Sequence, residues 1–129
     1  MTLLARHSPQ DAYRRVDFDA RVNGCDPMEL VGLCYEQLIG SLGSATFAYQ
    51  RGDNDAKSKA LTRALSALTA LQLGISGSEG VAQALRQFYT AARGAVLDSV
   101  LAFDPNRIDQ VRGDFIEIAA ALTATRGAG

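Results

Sequence analysis

The sequence predicts an all-α fold, an antiparallel up-down four-helix bundle preceded by an N-terminal arm. Three observations carry this. Apolar residues recur at three- and four-residue steps in four successive stretches. The pair Asp-Pro occurs twice, as Asp26-Pro27 and Asp104-Pro105, each time just ahead of such a stretch. Between the stretches lie short runs of turn residues, and no segment alternates apolar and polar residues long enough to argue for a strand.

The first helix is expected to start at Asp26-Pro27-Met28-Glu29. Asp26 can accept a hydrogen bond from a free N–H of the first turn, and Pro27 suits a position whose donor is not needed. Glu29 places negative charge at the positive end of the helix dipole. Leu30, Cys34, Leu38, Leu42, Ala45 and Tyr49 then form a stripe that stops at Gly52, a C-terminal cap residue. Asp53-Asn54-Asp55 makes a turn, and a second helix from near Ala56 carries Leu61, Ala64, Leu65, Leu68 and Leu71 on one face. Gly74-Ile75-Ser76-Gly77-Ser78 breaks that pattern.

A third helix is expected from Glu79 to Val81 onward, with Val81, Leu85, Phe88, Ala92, Ala95 and Val96 inward, closing near Phe103. After Asp104-Pro105, Ile108, Val111, Phe115, Ile118 and Leu122 make the seam of a fourth. Connections this short make sequential helices antiparallel neighbours. The expected division is an arm over residues 1–25, a bundle over 26–124 and a frayed tail over 125–129. The arm segment Ala12-Tyr13-Arg14-Arg15-Val16-Asp17-Phe18 is too polar for a core helix. It reads either as an irregular cover for one end of the bundle or as a movable arm that fills a groove until a partner arrives.

Composition narrows the function. The 129 residues suit one domain, and 47% apolar with 21% charged residues is ordinary for a globular chain. A net charge of -1 gives no drive onto nucleic acid or an anionic membrane. Residues 1–5 do not read as a signal peptide, and no run approaches the ~18 apolar residues of a membrane span. Cys25 and Cys34 are separated by mostly helix, which keeps their sulfurs apart, so both are expected as free structural thiols in a reducing cytoplasm.

One His leaves little for a proton relay or a transition-metal site. A histidine phosphotransfer domain needs its His on a bundle helix, whereas His7 lies in the arm. A di-iron bundle needs Glu-x-x-His pairs, and the sequence has none. Glu36, Asp98, Asp114 and Glu117 are expected on solvated faces, with a carboxylate enzyme surviving only if such groups converge. No Gly-rich phosphate loop, Gly-x-Ser-x-Gly or Cys-x-x-Cys is present. The expectation is a protein that is not an enzyme and uses no cofactor or metal.

Two features remain. Gly40, Gly43, Gly94 and Gly113 interrupt helices, each at a cost of about 1 kcal/mol relative to Ala, which fits either close helix contact or a shallow groove. A second apolar stripe, Val31, Tyr35 and Ile39, lies beside the first on helix one, and Tyr89 and Leu97 do the same on helix three. Extra apolar width means a broad core face or a docking surface for amphipathic helices.

The ordered set Ala12-Tyr13-Arg14-Arg15-Val16, Asp26-Pro27-Met28-Glu29-Leu30-Val31 and Leu33-Cys34-Tyr35-Glu36 resembles the flagellin export chaperones, the FliS family. Ala45 and Ala48 ahead of Arg51-Gly52-Asp53, Leu71 with Gly74-Ile75, Phe88-Tyr89, and Ile108 with Val111 continue the likeness, which spans residues 12–124. Asp26 stands where members often have Ser or Thr, and Leu122 where many carry Trp. The resemblance implies a cytoplasmic bundle that holds the disordered C-terminal segment of flagellin, prevents premature polymerisation and delivers it to the flagellar export gate. It implies partner contacts at Tyr13 and Val16 on the arm. With the apolar stripes, it points to Tyr35, Ile39 and Leu42 on the first helix and Leu65 and Leu68 on the second. The free chain is expected as a monomer or weak homodimer, without nucleic acid or membrane insertion. A helical adaptor for another partner, or a self-associating bundle, would use the same stripes.

Overall fold

The computed structural model describes residues 27–128, so the arm lies outside the described residues. The chain divides into two compact units, Met1–Leu33 and Cys34–Gly129, and the packing below is that of the second. Four helices follow one another: α1 Pro27–Gln50, α2 Asn54–Leu73, α3 Gly80–Leu101 and α4 Pro105–Ala128. Among the described residues there is no strand.

The helix ends follow from local chemistry. Pro27 and Pro105 are first helical residues, as the sequence predicts. Asp104 Oδ1 accepts from the N–H groups of Asn106 (3.1 Å) and Arg107 (3.2 Å), two donors that the first turn of α4 cannot satisfy itself. At the end of α1, Gly52 adopts a φ of 71°, its N–H donates to Tyr49 O at 3.1 Å, and Asp53 N–H donates to Ala48 O at 2.9 Å. That is a Schellman cap, and it requires glycine in the left-handed position. Asp53 then turns to the next helix, its Oδ1 accepting from Ala56 N–H at 3.0 Å. Because Asp53 closes one helix and caps the next, α2 begins at Asn54 instead of near Ala56.

Helix α3 begins inside its expected window, but it ends at Leu101, short of Phe103. Phe103 instead stacks on Tyr49 with ring centres 4.6 Å apart, and Lys57 Nζ lies 5.8 and 5.7 Å from the two ring centres. Helix α4 continues to Ala128 through the segment where a frayed tail is expected.

Contacts across the bundle give its topology. On α1 and α4, Tyr35 meets Phe115, Arg112 Nε donates to Ile39 O, and Thr46 donates to Asp109. Numbers rise on one helix as they fall on the other, so the pair is antiparallel. Tyr35 on α1 meets Tyr89 on α3, and Tyr49 further along α1 meets Phe103 just beyond the end of α3, so numbers rise together and the two helices run parallel. Phe88 against Phe115 and Asp98 against Arg107 make α3 and α4 antiparallel. This is the up-down-up-down arrangement.

The core takes Leu38, Leu42 and Ala45 from α1, Leu61, Ala64, Leu68 and Leu71 from α2, Val96 from α3, and Ile108 and Phe115 from α4. A fully buried Leu, Ile, Val or Phe among these contributes about 1.5–3 kcal/mol relative to exposure. The α4 seam fades along its length: Ile108 and Phe115 are buried, Val111 and Ile118 half-buried, and Leu122 exposed.

Candidate partner-binding surface

The aromatic side chains of the core bear on what the surface can offer. Tyr35 packs edge-on against Phe115 (5.4 Å between ring centres), and Tyr89 stacks nearly parallel to Phe115 at 6.0 Å. Phe88 lies against the same Phe115 ring at 4.7 Å. The hydroxyls of Tyr35 and Tyr89 hydrogen-bond at 2.8 Å across the buried interior. Burial pushes the ionisation of both phenols above the usual tyrosine range, most strongly for Tyr35. Cys34 beside them is a free, buried thiol, and burial raises its pKa too.

The residues singled out from sequence fall into three groups. Tyr13 and Val16 lie outside the described residues. Tyr35, Leu42 and Leu68 are buried and hold the helices together in the partner-free chain. Ile39 and Leu65 are half-buried, so each keeps part of its surface accessible.

Helix α3 differs most from expectation. Its inward line is Ala82, Leu85, Tyr89, Ala92, Val96 and Ser99, spaced by alternating threes and fours, with Leu85 half-buried and the rest buried. Tyr89 belongs to the core because its hydroxyl has a buried partner. Turning α3 to bury Tyr89 leaves Val81 (75% exposed), Leu97 (47%), Val100 (50%) and Leu101 (93%) outside. Phe47, Leu73 and Ile116 are also exposed. Leu97 was legible in the sequence as apolar width beyond one stripe. Val100 and Leu101 could have been found because they fall out of step with the three-four line.

Of Gly40, Gly43, Gly94 and Gly113, only Gly43 is closely approached by a neighbouring helix. A Cβ at Gly40, Gly94 or Gly113 would meet nothing within 4 Å beyond its own helix. At Gly43 it would lie 3.2 Å from Arg112 Nε, the group that reaches from α4 to the Ile39 carbonyl. Gly43 therefore makes room for an arginine, and the other three leave open surface.

Glu36, Asp98, Asp114 and Glu117 are exposed, and Asp98 pairs with Arg107 at 2.8 Å. Among the described residues no group of three or more His, Cys, Asp and Glu side chains could hold a metal ion. No described helix is long and apolar enough to cross a membrane. The arrangement offers apolar strips at the surface of an internally satisfied bundle, a form suited to holding a helix or an extended chain.

A comparison with curated proteins returns no match. The family model described as "Flagellar protein FliS" matches residues 9–125, and the chain belongs to this family of flagellar export chaperones.

Proposed function

We propose that the protein is a cytoplasmic, non-catalytic chaperone that binds the disordered C-terminal segment of flagellin, prevents its premature polymerisation and delivers it to the flagellar export gate. The observation that carries this reading is the mismatch between core and surface on α3. The core polar groups are satisfied internally, yet Val81, Leu97, Val100 and Leu101 remain in water. Leu97, Val100 and Leu101, three and four residues apart, share one face of α3, and a contiguous exposed apolar face supports its reading as a partner site. A flagellin tail that folds as it docks would lose part of the gross contact energy to ordering, so wide apolar contact suits it better than a few charges.

In this reading Ile39 and Leu65 touch the partner directly, Tyr35, Leu42 and Leu68 support them from beneath, and Tyr13 and Val16 contribute from the arm. The free chain is a monomer or weak homodimer. Mixing the purified protein with the C-terminal peptide of its cognate flagellin should give a 1:1 complex with more helix than the two parts separately. Absence of binding at micromolar concentration overturns the reading. Light scattering that shows a tight self-assembly unaffected by the peptide favours a self-associating bundle instead.

A further inference from the structure

On the seam between α2 and α3, two arginines are held by neutral oxygens. Arg93 Nη1 donates to Thr69 Oγ1 at 2.7 Å and to Gln72 Oε1 at 3.4 Å. Arg86 Nη2 donates to the carbonyl of Gly77. Both side chains are half-buried, and among the described residues neither has a carboxylate in ion-pair range. A guanidinium has five N–H donors, so each retains donors for a further acceptor. The contrast with Arg51, paired with Asp53, and Arg107, paired with Asp98, is internal to the same chain.

Arg86 and Arg93 stand seven residues apart, two helical turns, on one face of α3. Their Cα atoms are thus about 10 Å apart along the axis. One turn beyond Arg93 comes Leu97, which is exposed. Counting one turn from each partner of the Arg93–Thr69 bond along the antiparallel helices brings Leu97 on α3 to the same end of the seam as Leu65, half-buried on α2. The strip therefore has two unlike halves, apolar at Leu65 and Leu97 and cationic at Arg93 and Arg86.

We propose that Arg86 and Arg93 set the direction and register of the bound segment, which is apolar at one end and carries carboxylates about two helical turns apart at the other. The apolar half supplies area, and the cationic half accepts the segment in one orientation only. Reversing it would place its carboxylates over Leu97 and leave its apolar side chains against guanidinium groups, an arrangement that costs on both counts. A carboxylate can take two parallel N–H bonds from the free edge of a guanidinium, which gives geometric as well as electrostatic selection. This inference rests on the flagellin reading for the identity of the segment, and adds which part of the surface reads its charge.

The test measures affinity of the full chain for the cognate flagellin C-terminal peptide by titration calorimetry at two salt concentrations. Arg93→Gln is expected to weaken binding several-fold and the Arg86→Gln/Arg93→Gln double variant at least tenfold, with a flatter salt dependence. Arg107→Gln, which removes the same charge from the α4 side, should bind as the parent does. Neutralising peptide carboxylates one at a time should locate one that couples to Arg93 and another about seven residues away that couples to Arg86. Parent-like binding by the double variant, with circular dichroism unchanged, overturns the proposal and leaves the flagellin reading standing. Should the parent chain not bind flagellin at all, that reading fails separately. The seam is then tested with a synthetic helical peptide bearing leucines at one end and two glutamates seven residues apart at the other. Tenfold weaker binding by the double variant than by the parent supports the arginine role, and equal or absent binding overturns it.

Discussion

The hydroxyls of Tyr35 on α1 and Tyr89 on α3 share a 2.8 Å hydrogen bond in the interior, between two helices that run parallel across the bundle. Each phenol is the other's buried partner, so removing one leaves a polar group in an apolar surround. Tyr35→Phe or Tyr89→Phe alone is expected to cost about 1–3 kcal/mol of unfolding free energy. The double Phe variant should cost less than the sum, because no orphaned hydroxyl remains. Urea denaturation of the three variants checks this, and additive losses would count against a coupled pair.

The same pair gives an alkaline dependence. Burial raises both phenols above their unfolded pKa, so their contribution is fully present below the unfolded tyrosine range. It is lost as pH rises toward the folded values, because the unfolded chain releases these protons first. Stability should therefore fall from about pH 10 upward. The tyrosinate absorbance of Tyr35 and Tyr89 should appear together with loss of helical circular dichroism. Ionisation of this pair in a chain that remains fully helical would contradict the burial argument.

Asp53 serves two helices, donating its N–H to Ala48 O and accepting at its side chain from Ala56 N–H. Only the second role needs the side chain. Asp53→Ala should thus cost about 1 kcal/mol, while Asp53→Asn, which also caps well, should cost far less. Thermal melts of the two variants separate capping from any general effect of lost charge at the Arg51 pair.

How much of this was readable from sequence depended on which force decided each element. The helix starts at Pro27 and Asp104-Pro105, the Gly52 stop and the middle of the inward faces of α1 and α2 follow from local chemistry and periodicity, and the structure keeps them. Asp26 lies outside the described residues, Leu30 and Tyr49 at the two ends of the α1 stripe are exposed, and Leu65 on α2 is half-buried. The phase of α3 did not. Ranking by hydrophobicity places Val81 inside, whereas the structure chooses Ala82, Tyr89 and Ser99. That choice depends on Tyr35, a residue 54 positions away, through a hydroxyl that periodicity cannot see. For the same reason the sequence marks apolar width on Tyr35 and Leu97 alike, while only Leu97 stays at the surface. Arg86 and Arg93 were illegible because their distinction lies in neutral partners supplied by a turn and a neighbouring helix.

The glycines of α1 separate folding cost from open surface. Gly40 has nothing near its missing Cβ, so Gly40→Ala should gain about 1 kcal/mol from helix propensity, raising Tm by roughly 3–5 °C. At Gly43 a methyl would meet Arg112 Nε at 3.2 Å and press the guanidinium away from the Ile39 carbonyl. Gly43→Ala should therefore gain much less, or nothing. Combining Gly43→Ala with Arg112→Ala should recover part of the propensity gain. Equal gains for the two single variants would show that Arg112 yields without cost.

Ile39 lies beside this bridge, half-buried at the α1–α4 seam, with its carbonyl accepting from Arg112. Because the side chain is only partly covered, Ile39→Asp can direct its carboxylate toward water while the backbone carbonyl remains available. The variant should keep the parent's helical circular dichroism and lose measurable binding to the flagellin C-terminal peptide, since a charge would replace apolar contact area. A charge in the core would instead cost several kcal/mol and collapse the helical signal. Loss of fold would assign Ile39 to the core beside Leu38 and Leu42. Retained fold with retained binding would move the partner's path away from α1 and onto the exposed strip of α3.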